Sequence, residues 1–229
     1  MDEWIYSKSD NLEIALALSV CLDSSPHKYN LVRKSRWTSL FSQHPSINVI
    51  GHPKEEDTVI HIKCEETLPF NTKVEVISQV LGISCHIPKD PAFHLGNTNS
   101  SVFKALSDKD AILLYLTQQG CQQLDLFFID GACRLLIEHQ YQVYSVGDFS
   151  IPCIRGSQDY RSLLELDEII TLIRSSTALI TNNAELSELA SLFSKKSFLL
   201  IQKDNAYICN GSIVTMPSQV SNMILKTIE

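Results

Sequence analysis

The sequence predicts an α/β protein made of two small domains, each built on a parallel sheet. Short apolar runs of strand length alternate with longer stretches whose apolar residues recur every three to four positions, the order that places crossover helices between parallel strands. A polar, turn-rich segment over 88–109, with Pro88, Pro91, Gly96 and the run Asn97-Thr98-Asn99-Ser100-Ser101, separates two such series. With 229 residues, 44% hydrophobic and 20% charged, the chain is a folding globule long enough for two cores. The domains are expected over 1–95 and 105–229.

In the first half, residues 4–6 read as a short strand, and the apolar run 12–22 is too long for a strand and is therefore helical. Strands at 29–33 and 47–50 flank a short helix at 37–41. Residues 58–63, Thr-Val-Ile-His-Ile-Lys, alternate as a strand does, and 74–81 followed by Gly82 reads as a helix with a glycine stop. The second half opens with the buried-strand run 111–116. The next helix takes Leu124, Phe127, Phe128, Leu135 and Leu136 as its apolar face, and 143–146 forms a strand ending at Gly147-Asp148. A helix over 163–174 presents Leu166, Ile169, Ile170 and Ile173 on one side. After the strand 178–181 comes a helix carrying Leu186, Leu189, Ala190 and Phe193, then a strand at 198–201. Val220, Met223, Ile224 and Ile228 mark a closing amphipathic helix. The strands 111–116, 143–146, 178–181 and 198–201 are expected in one parallel sheet. Open sheets of this kind bind ligands beyond the carboxyl ends of their strands, so a cleft between the two domains is the expected site.

Composition excludes several classes of function. The formal charge of −7 argues against nucleic-acid and anionic-membrane partners, and it requires any phosphate ligand to find a local basic pocket. No apolar run reaches membrane-spanning length, and Met1-Asp2-Glu3-Trp4 lacks a secretory signal's basic flank, so a cytoplasmic location is expected. The seven cysteines are scattered and never form CxxC, which reads as reduced thiols. The histidines show no metal-ligand spacing, so no metal site is expected. GxGxxG, P-loop and Gly-x-Ser-x-Gly motifs are missing, which removes the usual signals of nicotinamide enzymes, P-loop NTPases and α/β-hydrolases.

One stretch carries a family resemblance. Residues 169–183, Ile-Ile-Thr-Leu-Ile-Arg-Ser-Ser-Thr-Ala-Leu-Ile-Thr-Asn-Asn, with Leu189-Ala190 and the strand 198–201, resemble the C-terminal core of the heptosyltransferases of glycosyltransferase family 9. There a helix, a strand, an Asp-Ser/Thr-Gly-Pro-x-His turn, a helix and another strand bind the nucleotide sugar. The resemblance extends back over 110–147. It reaches the N-terminus, where 5–18 is similar to the family's first strand and Gly-Asp-x-x-x-x-Leu-Pro loop and His44-Pro45-Ser46-Ile47-Asn48-Val49-Ile50 to its Pro-x-(Ile/Val)-Asp-x-Val segment. It implies a divergent and shortened member with a GT-B-like fold, two Rossmann-like domains with parallel sheets facing a cleft. The implied reaction is an inverting, metal-independent transfer of a heptose-type sugar from a nucleotide-diphospho-sugar, an ADP-linked donor among the candidates, to a hydroxyl of a glycan or lipid-linked acceptor. No cofactor is implied.

The register of 5–18 puts Leu12-Glu13 at the family's Gly-Asp, so Glu13 takes the place of the general base that removes the acceptor's proton, with Asp10 as a second candidate. Both also suit a helix start, where carboxylates meet the helix dipole. At the diphosphate turn this chain reads Asn183-Ala184-Glu185-Leu186-Ser187-Glu188, without the family's Asp, Gly and His. Thr117, Asn182, Asn183 and Ala184 are the expected nucleotide-sugar contacts, Glu188 the ribose partner and Arg155, with Arg161 nearby, the phosphate cation. Glu185 would set a carboxylate against the diphosphate, and Asn182 with Glu185 also has the spacing of a capping box. These departures leave open a second reading, a catalytically inactive scaffold that binds a protein partner or small ligand.

Overall fold

The computed structural model describes residues 3–33, 36–87, 111–117, 126–151, 153–200 and 213–215, together with 223, 225 and 226. The chain divides into two units, Met1–Asn97 and Thr98–Glu229. The first is built around β1 (Glu3–Ser7), which is followed by α1 (Leu12–Asp23), β2 (Tyr29–Val32), a 3₁₀ turn at Arg36–Phe41, β3 (Ile47–Gly51), β4 (Thr58–Ile62) and α2 (Phe70–Leu81). Its four strands pair in the order β3-β2-β1-β4, all parallel.

The length of the apolar run in α1 has a packing cause. Both α2 and the 3₁₀ turn pack on α1, so Leu12, Ile14, Leu16, Ala17, Leu18, Val20, Cys21 and Leu22 are all buried and no single stripe suffices. His44 closes the far end of α1. Its Nδ1 accepts the Ser46 N–H at 3.2 Å while Nε2 lies 3.2 Å from the Ser19 carbonyl, and the Ser46 hydroxyl donates to the Leu22 carbonyl at 2.9 Å. α2 ends as predicted at Gly82, whose φ of +66° suits glycine, with Ile83 N–H donating back to the Ser78 carbonyl. The helix starts at Phe70, four residues before the predicted start. Pro69 supplies the entry angle there, and the polar Asn71 and Thr72 mask the apolar period in the first turn.

The second unit comprises β5 (Ala111–Leu116), α3 (Leu126–Glu138), β6 (Gln142–Gly147), β7 (Gln158–Asp159), α4 (Leu166–Ser175), β8 (Ala178–Thr181), α5 (Ala184–Leu192), β9 (Lys196–Leu200) and β10 (Ile213–Thr215). The sheet runs β10-β9-β8-β5-β6-β7, every pair parallel, so the four predicted strands share one sheet. Ile112, Leu114, Ile180 and Phe198 from the sheet meet Ile129, Cys133 and Leu136 of α3 in the core. The edge strands β7 and β10 were not legible, being too short to show a period.

Two expectations are corrected here. α3 buries Ile129, Ala132, Cys133 and Leu136, an i, i+3, i+4, i+7 stripe, whereas Phe127 is 78% exposed and Phe128 43%. Two consecutive residues stand about 100° apart on a helix and cannot both lie on a narrow stripe; Leu124 lies outside the described residues. α4 begins at Leu166, not 163, because Glu165 and Glu168 form a capping box, which leaves Leu163 exposed in the preceding turn. Of the closing helix, Met223, Leu225 and Lys226 are described as helical, and positions 220, 224 and 228 lie outside the described residues. Gly147, at the end of β6, has φ +101°, and a Cβ there would sit 2.8 Å from the Tyr115 ring. Among the described residues, no helix is long and apolar enough to cross a membrane.

Candidate functional site

In the first unit, the loop from β1 into α1 is held by a chain of local bonds. Ser9 Oγ accepts the Asn11 N–H at 3.1 Å and donates to Glu66 Oε1 at 2.6 Å. Asn11 then caps α1 by accepting the Ile14 N–H at 3.1 Å, and Trp37 Nε1 donates to the Asp10 carbonyl at 2.7 Å. Asp10 therefore lies in the loop with its side chain exposed, one residue ahead of the cap. Glu13 is the second residue of α1. Its Oε2 is paired with Lys73 Nζ of α2, a lysine that is itself fully buried. The other carboxylate oxygen has no hydrogen bond among the described residues.

Two concavities flank this loop. Ser7, Ile14, Leu18, Trp37 and Phe41 line a mainly apolar hollow of about 350 Å³, counting its solvent-open part. A wider groove of about 900 Å³, counted the same way, lies against Lys8, Ser9, Ile62, Lys63, Cys64, Glu65 and Glu66, beyond the carboxyl ends of β1 and β4. Its charges are mixed, two ammonium groups against two carboxylates.

In the second unit, the carboxyl ends of β5 and β8 are joined through a side chain. Thr117 N–H donates to Asn182 Oδ1 at 2.7 Å, and Asn182 Nδ2 donates back to the Thr117 carbonyl at 3.1 Å. The amide thus acts as one more rung of the ladder after the backbone strands end. The next residue starts α5. Asn183 Oδ1 accepts the Leu186 N–H at 3.0 Å, and its own N–H donates to Thr181 Oγ1 at 3.0 Å. The expected cap at Asn182 is corrected to Asn183, since the Asn182 amide is engaged with Thr117. Ala184 opens the helix and is exposed, Glu185 lies in its first turn, and Glu188 is half-buried one turn on.

The two arginines have different settings. Arg161 forms a two-pronged pair with Asp159 at 2.7 Å for each prong, donates to the Ile151 carbonyl and covers the Phe149 ring at 4.8 Å. That guanidinium clasps its own loop and holds the Asp159 carboxyl down to about 2. Arg155 is exposed beside a glycine turn, and its N–H is bonded to Asp130 of α3 at 2.5 Å. The structure thus brings Thr117, Asn182, Asn183 and Ala184 together and sets Arg155 in a separate loop.

Lys73 is the residue that sequence reading missed. A signal existed: Phe70, Lys73, Val74 and Ile77 form the buried stripe of α2, and an ammonium within such a stripe needs a counter-charge. Among the described residues, no group of three metal-ligating side chains is assembled.

Neither a family model nor a curated protein matches the sequence. Solved structures match the fold. Heptosyltransferase WaaC of E. coli with ADP superposes with a TM-score of 0.67 at 8% identity, over 99% of this chain and 98% of that one. The ADP-heptose lps heptosyltransferase II of E. coli gives 0.63 at 11% identity, over 100% and 98%. A glycosyl transferase family 9 protein from Veillonella parvula gives 0.64 at 10%, over 99% and 89%. The chain thus has the α/β fold of the GT-B glycosyltransferases.

Proposed function

We propose that this protein is a glycosyltransferase that moves a sugar from a nucleotide-diphospho-sugar to a hydroxyl acceptor with inversion. The observation that carries the reading is Glu13, a buried carboxylate held at the first turn of α1 just beyond the carboxyl end of β1, with Oε2 fixed by Lys73 and Oε1 without a hydrogen bond among the described residues. In the proposed step Oε1 takes the acceptor's proton as the acceptor oxygen bonds to the anomeric carbon, and the bond to the diphosphate breaks on the opposite face. On the second unit, the N-terminus of α5 at Asn183 and Ala184 meets the diphosphate, Thr117 and Asn182 shape the adjoining strand ends, and Arg155 adds positive charge. Glu188 accepts hydrogen bonds from the ribose hydroxyls. Such a scheme needs no metal, since helix dipole and guanidinium carry the leaving charge. The similar structures solved with ADP and with ADP-2-deoxy-2-fluoro heptose support an ADP-linked, heptose-type donor.

A second reading is favoured by different observations. Glu185 sets a carboxylate in the first turn of α5, the Asn182 amide is engaged with Thr117, and Glu13 is ion-paired. On that reading the scaffold is catalytically inactive and binds a protein or small ligand. Thermal shift and calorimetry with ADP, UDP and ADP-heptose separate the two, because a ligand at 100 times its Kd stabilises by about 2.7 kcal/mol. Binding by the native protein, strengthened in Glu185→Gly, supports the transferase. The inactive scaffold is favoured if neither form responds to any nucleotide.

A further inference from the structure

The first unit holds two thiols that meet across the end of α1. Cys21 lies fully buried on α1 and donates through Sγ to the Val74 carbonyl of α2 at 3.4 Å. Cys85 sits three residues beyond Gly82. The left-handed turn at that glycine reverses the chain and lays Cys85 over the C-terminal turn of α1, where its Sγ donates to the Val20 carbonyl at 3.6 Å. Ser24, the cap of the same helix, donates its hydroxyl to Cys85 Sγ at 3.6 Å. Cys85 thus contacts the residue before Cys21 and the cap after it. Burial, followed by the neighbouring Cys85, pushes the Cys21 thiol far above the ordinary range.

We propose that Cys21 and Cys85 are a peroxide-responsive dithiol that closes to a disulfide within the first unit. Cys85 is the half-buried member of the pair and Cys21 the buried one, so the roles divide by access. Cys85 first reacts with hydrogen peroxide, giving the sulfenic acid and one water. The Cys21 sulfur then attacks the Cys85 sulfur, the S–OH bond breaks, and a second water leaves with the Cys21 proton. Two thiols are oxidised and one peroxide is reduced. The bond would staple the segment after α2 back onto α1, closing a loop that contains β2, β3, β4 and α2.

The test treats the full-length protein with hydrogen peroxide, blocks the remaining thiols under denaturing conditions, and maps the peptides by mass spectrometry. A peptide pair joining Cys21 to Cys85, two fewer blocked thiols and full reversal by dithiothreitol are expected. The oxidised form should also melt at least about 5 °C higher, since a long loop is closed in the unfolded chain. Cys85→Ser, a near-isosteric change at a half-buried position, should abolish both effects while leaving the untreated melting temperature within about 2 °C of the parent. Oxidation that leaves Cys21 and Cys85 fully blockable, that pairs either with a different cysteine, or that persists unchanged in Cys85→Ser overturns the assignment.

Discussion

Replacing Lys73 by Met keeps the aliphatic stem in the α2 stripe and deletes the ammonium, leaving the Glu13 carboxylate 11% exposed with its partner gone. Removing one member of a buried ion pair costs about 3–5 kcal/mol, because the remaining charge stays desolvated. Glu13 keeps a little solvent access, so the lower end, about 3 kcal/mol, is expected. A domain the length of Met1–Asn97 unfolds with an entropy of about 0.2 kcal/mol/K, which converts the loss into a melting temperature lower by about 15 °C. Glu13→Gln should cost less, about 2 kcal/mol, since the amide oxygen still accepts a bond from Lys73. The double variant should recover at least about 2 kcal/mol of the summed single losses, which is the coupling a double-mutant cycle isolates. Urea unfolding followed by circular dichroism at neutral pH measures all four proteins. Single losses below about 1 kcal/mol that simply add in the double variant would show that the pair contributes no coupling and refute the argument.

Gly147→Ala should destabilise the second unit by about 2–4 kcal/mol, combining the left-handed backbone at +101° with the contact to the Tyr115 ring. Adding Tyr115→Ala should relieve only the contact part, and a neutral Gly147→Ala in urea unfolding would contradict this. Asn182→Ala removes the amide's three hydrogen bonds to Thr117 and should cost about 1–2 kcal/mol, read by faster amide hydrogen exchange at Thr117; unchanged protection there would rule out the joint. The Asp159 carboxyl, held near 2 by Arg161 against 3.8 unpaired, stabilises the fold above about pH 4 and loses that contribution as pH falls through 2. The Asp159 carboxylate is 38% exposed, so solvent screening leaves about 0.5 kcal/mol, seen as a urea midpoint that moves less between pH 5 and 2.5 in Asp159→Asn than in the parent. Equal acid sensitivity in the two proteins would discount the pair.

The alternation of strands and helices was legible because each strand is a short apolar run and most helices carry one buried stripe. Where local pattern failed, a long-range contact had decided the outcome. Asn182 and Asn183 have equal intrinsic merit as caps, and only the partnership of Asn182 with Thr117, on another strand, assigns the cap to Asn183. Lys73 stood out as a charge in an apolar stripe, yet its partner sits on a different helix and periodicity could not name it. The Phe127-Phe128 doublet looked like core because it is apolar, whereas the stripe that fits the sheet starts at Ile129. The position of Glu13 came from register against a family pattern. Its ion pair is a property of α2, which that pattern does not contain.

The placement of β5 between β8 and β6 has a consequence for how the chain is made. It is the first strand of its sheet to leave the ribosome, yet Ile112 awaits Val143 on one side and Ala178 on the other. At roughly 5–20 residues per second, the second edge stays open for several seconds after the first strand emerges. Throughout that interval the run Ala-Ile-Leu-Leu-Tyr-Leu is an unpaired apolar edge, the kind of segment that recruits other strands when its own are late. Slower translation between α3 and β8 therefore lengthens the time for which this edge stays open, and a chaperone meeting the nascent chain there would cover it.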